Sequence, residues 1–241
     1  MESNDLHLTT DRRAFLGTIT TGAAAMSLGG LAAPFQAAAK TNQTSFLPDD
    51  DPDAWFAKIK GNHRVVFDCT RTHEVLQFLW PAVFMMTNEA TGTPAKDQSV
   101  VIVLRHDAVG YAFNDHIWSK YNFADMFNAK ELGPVFRGAD YKTTASNRNP
   151  FLNTKDGDFQ VPGFGNVAIG IRDLQSKGVM ICACNAAMTV YSAIAAMSTG
   201  GNAADVKKDW VSGLIPGIQV VPSGVWAVGR AQEHGCAYVS V

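Results

Sequence analysis

The feature that most constrains the fold is the alternation of five short apolar runs with segments of helical periodicity. The runs lie within residues 64–69, 99–105, 179–183, 217–221 and 236–240. Nearly continuous apolar runs are typical of strands in a parallel sheet that helices cover on both faces. We therefore expect an α/β fold built on a mainly parallel five-stranded sheet.

Helical patterns separate these runs. We predict helices over residues 72–86, 107–130, 166–177, 185–198, 203–211 and 224–233. Asn185 and Ser223 stand at the start of two of them and are the residue types that cap helix N-termini. Residues 131–162 are the least regular part, and we interpret them as a long loop with a functional or oligomeric role.

The N-terminus has the features of a targeting signal. Arg12 and Arg13 precede an uncharged stretch over residues 14–39 that is rich in Ala, Gly and Thr and ends in three alanines. This pattern is typical of a twin-arginine export signal. A retained membrane anchor is the alternative, but the Gly and Thr content makes the stretch weakly hydrophobic. We expect cleavage near Ala39 and a mature protein in the periplasm, exported by the twin-arginine translocase.

The rest of the chain is interpreted as a flexible acidic leader over residues 40–60 and one domain over residues 61–241. The net charge of −2 gives no basic surface for nucleic acid. Residues 163–168 match a dinucleotide-binding glycine pattern, but they follow a proline and an irregular loop, so we interpret them as a loop that enters a helix. We expect no cofactor.

Several reactive side chains follow the predicted strands. Ligands of parallel sheets bind outside the carboxyl ends of the strands. The residues at this edge are Cys69, Arg71 and His73 after the first strand, His106 and Asp107 after the second, Cys184 and Asn185 after the third, and Ser223 after the fourth. We predict that the functional site lies there.

Cys184 is the leading candidate among them. It ends a strand and precedes a helix, whose unpaired backbone N–H groups and dipole stabilise a thiolate. For this role we expect the sulfur to be open to solvent. The alternative is a small buried residue in a tight strand-to-helix turn. We interpret Cys182 and Cys236 as structural core residues.

A metal site is a weaker alternative. Cys69, His73, His106 and Cys184 provide two thiols and two imidazoles if their loops converge, but nothing in their spacing demands it. We predict no metal. The chain has four cysteines, too few for a disulfide scaffold, and the sequence leaves their pairing open.

The C-terminal part resembles the DsrE/DsrF-like family of sulfur-relay proteins. The matching segments are residues 174–179, 183–188, 214–225 and 232–239, together with 103–109 near the second strand. The resemblance implies a three-layer α/β/α sandwich and assembly as a trimer or hexamer. It also implies a sulfur atom carried on a cysteine at the position of Cys184.

Two hypotheses for function follow. In the first, a periplasmic DsrE-like protein holds reduced sulfur as a persulfide on Cys184. The helix that begins at Asn185 lowers the pKa of the Cys184 thiol. His106 and Ser223 orient or protonate the bound sulfur. Its partner is a sulfur donor or acceptor protein, or a small thiol. Such a protein is a carrier or transferase, so whether it is an enzyme stays open. In the second, the protein is a non-catalytic oligomeric binder of small ligands.

Overall fold

The computed structural model describes residues 51–129, 134–137 and 147–241. The predicted export signal and most of the predicted leader lie outside the described residues. No helix in the described ranges is both long enough and apolar enough to cross a membrane.

The described strands form a five-stranded sheet and a two-stranded hairpin. The strands are β1 (His63–Cys69), β2 (Gln98–Leu104), β3 (Gln160–Val161), β4 (Gly165–Asn166), β5 (Met180–Cys184), β6 (Gln219–Val221) and β7 (Ala237–Ser240). The large sheet has the order β6-β5-β2-β1-β7, and all of its neighbouring strands are parallel. This confirms the predicted α/β class and its five strands.

Helices cover both faces of the large sheet. They are α1 (Pro52–Phe56), α2 (Leu76–Ala90), α3 (Asp115–Lys120), α4 (Phe123–Met126), α5 (Ile171–Ser176), α6 (Asn185–Thr199), α7 (Ala203–Ser212) and α8 (Gly224–Glu233). On one face α1 and α8 pack with Val66, Val103 and Val221 of the strands. On the other face Phe84 of α2 contacts Phe67 of β1. The result is a three-layer α/β/α sandwich, as expected.

The prediction of a flexible leader over residues 40–60 is wrong at its C-terminal end. Asp51 caps α1 by accepting a 2.9 Å hydrogen bond from the backbone N–H of Asp53, and Pro52 is the first helical residue. Trp55 and Phe56 are buried in the core beside α8. Burial of two large aromatic side chains contributes favourable free energy to folding, so this segment belongs to the domain, which begins before residue 61.

The predicted helix over residues 107–130 is broken into three. A 3₁₀ helix spans His106–Ala112, and α3 and α4 follow. Asn114 caps α3 by accepting from the N–H of Ile117, and Asn122 has a φ of 49° before α4. Asparagine side chains compete with helical hydrogen bonds and tolerate this left-handed conformation, which explains both breaks.

Two other helices start later than predicted. The helix expected over residues 72–86 is α2, which starts at Leu76 because Glu74 has a φ of 51°, and it continues through Pro81. The helix expected over residues 166–177 is α5, which starts at Ile171. Residues 163–168 instead include the β3–β4 turn, so the interpretation of this glycine pattern as a helix entry is wrong.

The described part of the predicted loop over residues 131–162 contributes to the core. Phe151 is buried, with its ring centroid 4.6 Å from that of Phe78. Buried Asn149 donates from Nδ2 to the carbonyl oxygens of Tyr111 and Phe113, at 2.9 and 2.8 Å. A buried amide with these bonds ties the segment to its own domain.

Candidate functional site

The carboxyl ends of the central strands meet at one level. Cys69 is the register partner of Leu104, Leu104 is the partner of Ala183, and Cys184 is the partner of Val221. Arg105 directly follows Leu104, so it stands level with Cys184 on the neighbouring strand. The parallel register therefore brings the ends of β2, β5 and β6 together at one edge of the sheet.

A partly buried ion pair lies at this edge. The Nε and Nη2 atoms of Arg105 donate hydrogen bonds of 2.6 and 2.8 Å to the two carboxylate oxygens of Asp68. The hydroxyl of Tyr238 donates to Asp68 Oδ2 at 2.9 Å. Asp68 is only 2% exposed, and a buried carboxylate is tolerated when several charged and polar donors satisfy it.

The same ion pair sets the charge near the candidate cysteine. The pKa of Arg105 is raised, first by its hydrogen bond with Asp68 and to a lesser degree by electrostatic attraction to groups that include Cys184. Arg105 is therefore a permanent cation within electrostatic reach of the Cys184 sulfur.

Gly224 makes room for Arg105 at the start of α8. A Cβ atom on Gly224 would lie 2.5 Å from Cβ and 2.6 Å from Cδ of Arg105. Only glycine allows this close approach. The N-terminus of α8 consequently packs directly against the arginine side chain.

Cys184 occupies the N-cap position of α6. Its sulfur accepts a hydrogen bond from the backbone N–H of Ala187, with an N···S distance of 3.3 Å. The prediction that Asn185 caps this helix is wrong, because Asn185 is its first helical residue. The Oδ1 atom of Asn185 is buried and has no hydrogen-bond partner among the described residues.

The expectation of a solvent-open sulfur is wrong. Cys184 is 5% exposed. The physical reason is the capping bond, which turns the sulfur toward the first turn of α6 instead of toward solvent. The sulfur nevertheless has polar surroundings, since a helix N–H contacts it and the Arg105 cation lies within electrostatic reach.

The other three cysteines are buried, and all four are free thiols. Burial raises the pKa of Cys69 and Cys182, and it raises the pKa of Cys236 to about 11. Cys182 packs among the core residues between the sheet and α8, and Cys236 lies in the same cluster. The interpretation of Cys182 and Cys236 as core residues is confirmed.

His106 belongs to a second polar group at the edge. The hydroxyl of Tyr191 in α6 donates a short hydrogen bond to Asp107 Oδ1, and His106 Nδ1 lies 3.0 Å from the same oxygen. His106 has a φ of 49°, a left-handed conformation that is costly for a residue with a side chain. Its imidazole is mostly exposed, so Asp107 and Tyr191 orient a ring that solvent can reach.

Ser223 caps α8, as predicted. Its Oγ accepts a 3.2 Å hydrogen bond from the backbone N–H of Trp226. It stands two residues beyond Val221, the register partner of Cys184.

The four residues of the alternative metal site do not converge. Among the residues that the structure describes, no three His, Cys, Asp or Glu side chains are grouped to hold a metal ion. The Cys69 sulfur instead lies 3.8 and 3.9 Å from the carbonyl oxygens of Phe67 and Gln77.

Sequence reasoning did not single out Asp68, Tyr191 or Tyr238. Asp68 could have been recognised from the sequence, because a carboxylate within an apolar strand requires a buried partner. No sequence pattern indicated the roles of Tyr191 and Tyr238, since each of them bonds to an aspartate that is distant in sequence.

No family model and no curated protein matches the sequence. A solved structure with some similarity is a protein of unknown function from Methanobacterium thermoautotrophicum. It is 19% identical, the match covers 75% of this chain and 100% of that chain, and the TM-score is 0.32.

Proposed function

We propose that this protein is a DsrE-like carrier of reduced sulfur that holds a sulfur atom as a persulfide on Cys184. The observation that supports the proposal most is the position of the Cys184 sulfur. It lies at the N-terminus of a 15-residue helix, accepts a backbone N–H, and is within electrostatic reach of Arg105. Each of these features stabilises an anionic sulfur.

The transfer step needs no external oxidant. The Cys184 thiolate attacks the outer sulfur of a donor persulfide, a new S–S bond forms on Cys184, and the S–S bond of the donor breaks. The donor departs with the electron pair as a thiolate. Release to an acceptor thiolate follows the same step in reverse.

The near-burial of Cys184 restricts the donor. Cys184 as a residue is only 5% exposed, so its sulfur is reached by a narrow group, which favours a small persulfide or polysulfide, or an extended protein cysteine. The sulfur atom also has to leave its capping bond with Ala187 in order to attack. We propose that sulfur loading opens the first turn of α6.

The neighbouring predicted residues support this chemistry in different ways. Asn185 contributes the first backbone N–H of α6, which is one of the unpaired donors at the helix start. Ser223 provides a hydroxyl beyond β6, and the exposed imidazole of His106 provides a proton donor for a departing thiolate.

Mass spectrometry tests the proposal directly. Purified protein is incubated with a small inorganic polysulfide and digested without reductant. We expect Cys184 to gain one sulfur atom and the Cys184→Ser variant to gain none there. Cys236→Ser is the matched control, because Cys236 has a similar exposure of 6%. Absence of a Cys184 persulfide in the wild-type protein would contradict the proposal.

A non-catalytic ligand-binding protein is the second candidate, and the burial of Cys184 favours it. In that case the sulfur acts only as a helix cap. Iodoacetamide at neutral pH separates the candidates. Alkylation of Cys184 in the folded protein supports the carrier, whereas no alkylation until denaturant is added supports the binder.

We also propose that the protein forms a homo-oligomer, a trimer or hexamer. Helix α6 supports this, because none of its 15 residues is charged. Val190, Ile194 and Met197 follow helical spacing on its surface and are 53%, 47% and 83% exposed. Contiguous apolar surface without charge is typical of the interior of a protein interface.

The proposed location is the periplasm, after export by the twin-arginine translocase and cleavage near Ala39. N-terminal sequencing of protein recovered from the periplasm tests the cleavage position. Changing Arg12 and Arg13 to lysine should retain the precursor inside the cell, and normal export of that variant would contradict the assignment.

A further inference from the structure

A cavity of about 190 Å³ lies at the opposite end of the sheet from Cys184. It is bounded by Met85 and Met86 of α2, Val100 of β2, and Val179 just before β5. Val179 and Cys184 are five residues apart along an extended strand, which places them roughly 16 Å apart. The cavity is therefore separate from the candidate sulfur site.

The cavity wall contains a side-chain amide without a hydrogen-bond partner among the described residues. Gln98, the first residue of β2, lines the cavity, and neither its Nε2 nor its Oε1 has a hydrogen-bond partner among the described residues. Both atoms are out of contact with solvent. A buried amide without partners costs free energy, so such a group calls for an explanation.

Two side chains of opposite charge stand at the cavity. Glu89 of α2 and Lys177 at the end of α5 both line it. Neither forms an ion pair with another side chain in the described ranges. An acid and a base that line the same apolar cavity match a molecule that bears both charges and an apolar body.

We propose that this cavity binds a free α-amino acid with an apolar side chain. Glu89 accepts hydrogen bonds from the ligand ammonium, and Lys177 donates to the ligand carboxylate. The Gln98 side chain turns toward the ligand, and its amide forms hydrogen bonds with the same charged groups, the ammonium and the carboxylate. Met85 and Met86, which are flexible and apolar, adapt to the ligand side chain.

The size of the cavity supports a ligand of this class. Sites for drug-sized molecules begin at about 300 Å³, whereas this space measures about 190 Å³. A small metabolite fits, and a nucleotide or a peptide does not. The proposal goes beyond the sulfur chemistry and does not depend on it, since no residue of the cavity belongs to the carboxyl edge.

Calorimetric titration of the purified protein with L-leucine tests the proposal. N-acetyl-L-leucine lacks the ammonium and L-leucinamide lacks the carboxylate, so each reports one charge contact. We expect L-leucine to bind and each analogue to bind about tenfold more weakly, the effect of losing one charge-assisted hydrogen bond. Equal binding of all three compounds, or no binding of L-leucine, would overturn it.

Variants assign the contacts to named residues. Glu89→Ala and Lys177→Ala change exposed side chains and should preserve the fold. We expect Lys177→Ala to weaken L-leucine binding about tenfold without changing the affinity for L-leucinamide. Lys208→Ala, an exposed lysine on α7, is the matched control and should leave both affinities unchanged. A Lys177→Ala variant with wild-type affinity for L-leucine would contradict the proposed carboxylate contact.

Discussion

Arg105 and Asp68 form a two-pronged ion pair across neighbouring strands, with Nε–Oδ1 and Nη2–Oδ2 distances of 2.6 and 2.8 Å. Asp68 is the register partner of Val103, so Arg105 lies two residues further along the chain, just past the end of β2, and on the same face of the sheet. The pair therefore anchors the end of β2 beside Cys184. It contributes both to the stability of the sheet edge and to the charge of the candidate site.

Removing the arginine should destabilise the fold. Arg105→Met leaves the Asp68 carboxylate buried without its cation, and we expect a loss of about 3 kcal/mol in the free energy of unfolding. Urea denaturation measures it. The double variant Asp68→Leu/Arg105→Met is the control, and it should recover much of the loss because no unpaired charge remains. A single variant as stable as the wild type would show that the pair contributes little.

Gly224 should not tolerate a side chain. In Gly224→Ala the new Cβ would lie 2.5 Å from Cβ of Arg105, so the helix or the arginine has to shift. We expect a destabilisation of about 1–3 kcal/mol. Gly229→Ala, in the same helix with nothing within 4 Å of the new Cβ, is the matched control. It should stabilise the protein by about 0.5–1 kcal/mol, and equal effects of the two changes would contradict this packing.

Alkaline pH should weaken the fold through Tyr191. The pKa of Tyr191 is raised above its ordinary value, first by burial and then by its hydrogen bond to Asp107. The unfolded chain ionises its tyrosines near pH 10, whereas the folded protein keeps Tyr191 neutral. The unfolded state therefore loses its proton first, and the free energy of unfolding falls as the pH rises above about 10.

Substitution identifies the contribution of each tyrosine. Thermal unfolding of Tyr191→Phe above pH 10 should depend less on pH than unfolding of the wild type, since about one titrating group is removed. Tyr121→Phe should act in the same direction, because burial and a hydrogen bond to Asp209 raise the pKa of Tyr121 to about 12. An unchanged slope in both variants would show that these phenols titrate alike in the two states.

A charge on the exposed face of α6 should disrupt assembly. Ile194→Lys places an ammonium within the apolar stripe, and we expect the oligomer to dissociate to smaller species without loss of secondary structure. Light scattering coupled to size-exclusion chromatography measures the mass. Val225→Lys, on the exposed face of α8, is the control and should keep the wild-type mass. A monomeric wild-type protein would reject the proposed assembly.

The five strands of the large sheet could be predicted because buried parallel strands have a nearly continuous apolar pattern. Residues 64–69 and 99–105 correspond closely to β1 and β2. The Ser223 cap could be predicted for a similar reason, since the hydroxyl bonds within its own helical turn. Both features are recognisable from residues that are close in sequence, an apolar run in the first case and a capping hydroxyl in the second.

The candidate site was predicted only in part. The strand ends placed Cys184 and His106 at one edge, but the residue pattern did not decide between an exposed and a buried Cys184, which depends on the turn of its sulfur toward Ala187. Likewise, helix α1 contains few residues, and its burial follows from the space that β6 and α8 leave for Trp55 and Phe56.

The sequence by itself determined the layers of this protein, because hydrophobic periodicity decides which segments become strands and which become covering helices. Only the tertiary structure decided which polar side chains meet. Asp68 contacts Tyr238, and Asp107 contacts Tyr191, across separations of 170 and 84 residues. Such contacts depend on the order of the strands and the rotation of each helix against the sheet, and those are set by the packing of the whole core.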